Sequence, residues 1–205
     1  AAQAEKTIQG LKSSNLVKDI YLLVTEDTEV PLQGCRILHV PALNSTATMR
    51  IIAAHSDADY TLFYTKYTTL KLGMFALERM TRIAEDSVAG MVYADHYQVS
   101  EGIQKNAPVI DYQFGSLRDD FNFGSVLLYK ASALQEAVTR MKTDYQFAGL
   151  YDLRLKLSQK ESLVHINEYL YSEIENDTRK SGEKIFDYVD PKNRGVQIEM
   201  EQACT

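Results

Sequence analysis

The chain divides into blocks of apolar residues whose spacing switches between the period of a helix and that of a strand. Within residues 1–14, Ala4, Ile8 and Leu11 share one helical face, and Ser13-Ser14-Asn15 ends the pattern before the run Ile20-Tyr21-Leu22-Leu23-Val24. A helix and then a buried strand are predicted. The polar stretch Thr25-Glu26-Asp27-Thr28-Glu29 closes at Pro31, and Cys35-Arg36-Ile37-Leu38-His39-Val40 forms a second short strand before Pro41. Residues 45–55 read as a helix and 60–64 as a third strand. Residues 70–85 follow as a helix with Met74, Leu77 and Ala84 on one face, and 90–97 as a fourth strand.

Beyond Tyr97 a loop, Gly115-Ser116-Leu117-Arg118-Asp119-Asp120, leads into Gly124-Ser125-Val126-Leu127-Leu128-Tyr129. Ser132-Ala133-Leu134-Gln135 then matches a capping box, with Leu134, Ala137, Val138 and Met141 as the buried stripe behind it. Leu153, Leu155 and Leu157 alternate as in a strand, whereas Leu150, Leu153 and Leu157 suit a helix, which is the preferred reading. In the charged tail, Asp190-Pro191 reads as an N-cap and first-turn proline of a last helix. Strands alternating with helices call for a three-layer α/β/α, Rossmann-like fold with a mainly parallel central sheet. Ligands of such sheets sit at the C-terminal ends of the strands. No internal repeat or Gly/Pro/Ser-rich linker divides the chain, so residues 1–205 are expected to form a single domain.

Composition narrows the function classes. A formal net charge of −6 argues against a general nucleic-acid binder, which concentrates Lys and Arg against phosphates. No stretch approaches the roughly 18 apolar residues of a spanning helix. The two cysteines, Cys35 and Cys204, lie far apart and form neither a disulfide framework nor a metal cluster, which fits a reducing, cytoplasmic setting with Cys35 as a small core residue. The chain starts Ala-Ala-Gln without Met or a signal pattern, and is expected to be a fragment.

Standard chemistry motifs are missing: there is no Gly-rich phosphate loop, His-Glu-x-x-His, clustered Cys or Gly-x-Ser-x-Gly. His39, His55, His96 and His165 lie in or beside predicted regular elements and read as structural. What stands out is an order of segments. Ile20 to Asp27 is followed by Asn44 to His55, then by Ser56-Asp57-Ala58-Asp59-Tyr60-Thr61-Leu62-Phe63, then by a helix and Gly90-Met91-Val92-Tyr93-Ala94-Asp95.

In that order the chain resembles the inverting family 2 glycosyltransferases of the GT-A type, over roughly residues 4–170. The resemblance implies a GT-A-like fold, a nucleotide-diphosphate sugar as donor, and a carbohydrate or lipid-linked acceptor in bacterial envelope or polysaccharide assembly. A lipid-linked acceptor would bring peripheral contact with a membrane. The family's acidic residues after its second strand, which touch the base or ribose, correspond to Glu26 and Asp27, although Thr28-Glu29-Val30-Pro31 replaces the usual Gly-Ser-x-Asp.

A sharper departure lies at the end of the third strand. Where the family carries its metal-binding Asp-x-Asp, this chain reads Thr65-Lys66-Tyr67, which offers no carboxylate and counts against a divalent Mg or Mn ion. An ammonium at Lys66 could itself offset the charge of the leaving group. The family's base, a carboxylate before a Leu-containing helix, points to Asp152, with Asp120 as runner-up. Arg179 and Lys180, in the place of a loop that closes over the donor, and Arg50, on the helix after the Asn-containing turn, are further donor-binding candidates. The family's opening strand has no counterpart, and truncation is expected, because the sheet would otherwise lose a central strand and expose two edges. The alternative is a catalytically inactive sugar-nucleotide or glycan-binding module, and a sugar nucleotidyltransferase ranks third for want of a triphosphate loop. Donor sugar, acceptor and oligomeric state carry no mark in the sequence.

Overall fold

A computed structural model describes residues 2–25, 32–175 and 194–204. Its helices are α1 (Ala2–Lys12), α2 (Thr46–Ala54), α3 (Ala76–Asp86), α4 (Ala131–Thr139), α5 (Gly149–Ser158) and α6 (Arg194–Ala203). The strands are β1 (Tyr21–Val24), β2 (Arg36–His39), β3 (Tyr60–Tyr64), β4 (Thr69–Leu72), β5 (Met91–Ser100), β6 (Ile103–Ala107), β7 (Val126–Lys130) and β8 (Leu163–Glu175). β1 and β2 pair in parallel as a separate two-stranded sheet, and the main sheet has the order β3-β7-β5-β8-β4, with β6 added to β5.

The fold is mixed α/β, and the expectation of a mainly parallel sheet gives way to a mostly antiparallel one. Among the described residues only β1–β2 and β5–β8 are parallel pairs; β3–β7, β5–β7, β4–β8 and β5–β6 are antiparallel. Short connections explain part of this. β5 turns into β6 through Glu101 and Gly102, both at positive φ (52° and 76°), the left-handed pair that suits a two-residue hairpin. Residues 70–85 also depart from a single helix. Leu70 and Leu72 turn inward around exposed Lys71 as strand β4, and α3 begins only after Gly73, whose amide donates to the Leu170 carbonyl at 2.8 Å. Nor does Ser132 cap a helix: α4 starts directly from β7 with Lys130 at its N-cap, and the Ala131 amide donates to the Asp59 carbonyl instead. The Asp190-Pro191 cap lies outside the described residues.

Both faces of the main sheet are buried, as the unbroken apolar runs require. Met91 and Tyr93 of β5, with Leu127 and Tyr129 of β7, pack under α2, α4 and α5. The alternate residues Val92, Ala94, Val126 and Leu128 pack under α3. Among the described residues no helix is long and apolar enough to cross a membrane.

The helical layer is locked at the start of α5. Ser45 caps α2 by accepting from the Thr48 amide, and Thr46 exchanges backbone and side-chain hydrogen bonds with Tyr145. Gly149 passes so close that a Cβ there would collide with the Ser45 carbonyl carbon and the Thr46 nitrogen. The N-terminal amides leading into α5 are satisfied from a distance. The Glu199 carboxylate of α6 accepts from Gln146, Phe147 and Ala148 N–H at 3.1, 2.6 and 3.1 Å. Burial works against its charge, but these three donors outweigh it and hold the carboxyl below its ordinary range.

Two glycines separate sterics from propensity. Gly149→Ala is expected to destabilise the chain by about 2–3 kcal/mol, because backbone rather than a flexible side chain must yield. Gly10→Ala, in α1 with nothing within 4 Å of the added methyl, is expected to stabilise by about 0.5–1 kcal/mol. Urea unfolding midpoints of the two variants, at unchanged slope, check both.

Candidate functional site

β3, β5 and β8 run in one sense, and polar residues gather at one end of β3 and halfway along β5 and β8. The cause is a break in register. Ala94 pairs with Ile166, but Asp95 pairs with Tyr169 and His96 with Tyr171, so β8 carries extra residues at this point. Such bulges re-aim side chains. Here two adjacent ionisable residues, each about 1–2% exposed, go to different partners.

His96 turns toward the α3 side, where its ring stacks on Tyr171 at 5.0 Å and its Nε2 lies 3.3 Å from Glu173 Oε1. The other oxygen of the buried Glu173 takes the Lys66 ammonium at 2.5 Å. Lys66 stays 45% exposed, so the carboxylate fixes its position while leaving one side open to solvent. Thr65 secures the base of this segment with its amide on the Ser125 carbonyl. Gly124, at φ +74°, completes the wall, since a Cβ there would strike the Tyr171 hydroxyl. That hydroxyl accepts from the Ser125 and Val126 amides at 2.9 and 3.3 Å.

Asp95 turns the other way. Its Oδ1 accepts from the Val109 amide at 2.8 Å and meets His165 Nε2 at 2.9 Å, while His165 Nδ1 meets Asp111 Oδ1 at 2.7 Å. Tyr93 stacks on His165 at 5.3 Å and donates its hydroxyl proton to the Ile110 carbonyl. The result is a carboxylate–imidazole–carboxylate chain from a buried oxygen to an exposed one, Asp111 being 90% exposed.

The residues singled out in the sequence are dispersed. Lys66 and Thr65 join the Glu173–His96 group. Arg50 instead straps α2 to the loop after α4, on Asp144 at 2.5 Å and the Met141 carbonyl at 3.1 Å. Asp120 stands exposed in an ion pair with Arg118, which holds its carboxyl below the usual range. Asp152 is 2% exposed and sealed against Lys156 at 3.1 Å. Glu26, Asp27, Arg179 and Lys180 lie outside the described residues.

At the end of β3 a cation stands where a divalent ion would need anionic oxygens, so Thr65-Lys66-Tyr67 does not fit a metal. Among the described residues no group of three or more His, Cys, Asp or Glu is placed to hold one. Sequence reasoning passed over Asp95, Asp111, His165 and Glu173. One signal was available: Asp95-His96 interrupts the apolar strand Met91-Val92-Tyr93-Ala94, and ionisable residues inside a buried strand require partners. No protein-family model matches the chain, and no curated protein matches it.

Burial lowers the proton affinity of His96 below the usual value near 6.5, against the attraction of Glu173 and with the help of Lys66; Asp95 acts with Glu173. As pH falls through about 6.5 the unfolded chain therefore takes up a proton that the folded chain refuses, and stability drops. In His96→Phe this loss is expected to be shallower. Urea midpoints of both proteins at pH 7.5 and 5.5 measure the difference.

Proposed function

We propose that the chain handles a nucleotide-linked sugar in a GT-A-like α/β/α domain and transfers the sugar, with inversion, to a carbohydrate or lipid-linked acceptor without a divalent ion. The observation that carries this reading is Lys66, an exposed ammonium anchored by a buried carboxylate at the C-terminal end of β3. The resembled family keeps its metal ligands at that point of the segment order. A fixed cation there supplies what the chemistry needs, a counter-charge for a diphosphate leaving group, with no reorganisation at the moment of transfer. Helices packed on both faces of the sheet, and polar side chains collected where co-directional strands end or break register, support the same reading.

A second reading is a binding module that does not turn its ligand over. It is favoured by the state of the two expected bases, since Asp152 is enclosed with Lys156 and Asp120 is engaged by Arg118. A proton acceptor must reach the acceptor hydroxyl, and neither carboxylate stands free to do so.

Calorimetry with a panel of nucleoside diphosphates, with and without Mn, tests the donor half of the proposal. Binding is expected to be indifferent to Mn and about tenfold or more weaker in Lys66→Ala/Glu173→Gln, given about 1.5–3 kcal/mol for a charge-assisted hydrogen bond. The paired substitution avoids leaving a buried carboxylate alone. Undiminished binding by the double variant, or binding only with Mn, would remove Lys66 from the role. Nucleotide release from bound donor sugars then separates transferase from module.

A further inference from the structure

Arg154 of α5 is 5% exposed, and its Nε, Nη1 and Nη2 have no hydrogen-bond partner among the described residues. Its neighbours are aromatic: the guanidinium carbon lies 4.7 Å from the Tyr151 ring centre and 5.9 Å from that of Phe123. Two cation–π contacts offset only part of the cost of removing a cation from water. The nearby acid Asp152 does not help, because it is committed to Lys156. A guanidinium is always charged and carries five N–H donors in a planar fork, and here none of them is used.

Phe123, one of the two rings beside Arg154, belongs to the β6–β7 connection, residues 108–125. This connection is fastened firmly at its ends, at Val109, Ile110 and Asp111 to β5 and β8, and at Ser125 and Val126 to Tyr171. Between these ends Tyr112, Phe121 and Phe123 pack on one another and against the core, and only the stretch around Phe114 to Leu117 stands clear of it. Tyr151 donates its hydroxyl proton to the Leu117 carbonyl, while Phe114 and Leu117 stand 86% and 57% exposed instead of joining the core. Gly115 and Gly124, both at positive φ, flank the part that contacts α5.

We propose that Arg154 anchors a binding site for a phosphate group, reached when the middle of the 108–125 loop lifts from α5. Phosphate suits the site better than carboxylate, since a carboxylate engages two of the five donors and a phosphate has further oxygens for the rest. The site is separate from Lys66, which pairs with Glu173 on the α3 side of the sheet, and it goes beyond the donor reading. In a transferase it would select an acceptor that bears a phosphate.

Thermal unfolding in inorganic pyrophosphate, at matched ionic strength, tests the proposal on the whole chain. At tenfold over the dissociation constant the midpoint of the wild-type protein, and of Lys66→Ala/Glu173→Gln, is expected to rise by about 3–6 °C. When Arg154→Met is added to Lys66→Ala/Glu173→Gln the rise is expected to vanish, and Arg154→Met alone should be at least as stable as wild type in anion-free buffer, because an apolar side chain replaces an unpaired buried charge. A rise absent from wild type, already lost in Lys66→Ala/Glu173→Gln alone, or retained when Arg154→Met is added to that variant overturns the assignment. An equal rise with glucuronate overturns the choice of phosphate. Should Arg154→Met not fold, phenylglyoxal mapping of the wild-type chain decides: slower modification of Arg154 in pyrophosphate supports the site, and an unchanged rate refutes it. None of these outcomes depends on whether nucleoside diphosphates bind.

Discussion

The register break between β5 and β8 is the constraint on which the polar part of this molecule rests. Up to Ala94 the two strands pair in step and bury apolar side chains on both faces. From Asp95 on, the extra residues in β8 leave room for side chains that an unbroken parallel pair would exclude. Asp95 and His96 can be buried next to one another only because the bulge gives each its own polar neighbours. A regular ladder would have placed both in surroundings suited to Val or Ala.

Charge balance then differs from place to place inside the fold. Glu173 is shared between Lys66 and His96, Asp95 is served by His165 and a backbone amide, and Asp152 by Lys156. Each of these carboxylates has a donor close by. Arg154 reverses the pattern, as a cation among rings. Asp95 and Asp152 are thereby satisfied, His96 and one oxygen of Glu173 lie in contact at 3.3 Å without a hydrogen bond, and Arg154 has no acceptor beside it among the described residues.

Much of the element succession was legible because apolar spacing reports local structure directly: β1, β2, β3, β5, α2 and α5 fall close to where periodicity puts them. Strand direction was not legible. It depends on which strands become neighbours, and β7 inserts between β3 and β5, far from either in sequence. β8 escaped notice because its bulge disturbs the alternation that marks a strand. The ambiguity over 151–157 also has a physical source, since α5 is buried nearly all round and so shows no amphipathic stripe. At the site, Lys66 could be read as an unusual cation, but its partner Glu173 is 107 residues away and only the sheet brings them together. The orientation of Asp152 was likewise hidden, because a helix without a polar face gives no sign of which side meets solvent.

Glu199 ties the order of synthesis to the completion of a helix. The amides at Gln146, Phe147 and Ala148 emerge from the ribosome about fifty residues before the carboxylate that satisfies them. Until α6 arrives, the entrance to α5 must rely on water, and the close seat of Gly149 against Ser45 and Thr46 is supported from one side only. The helical layer over this face of the sheet is therefore closed by a carboxylate about fifty residues downstream of the amides it satisfies.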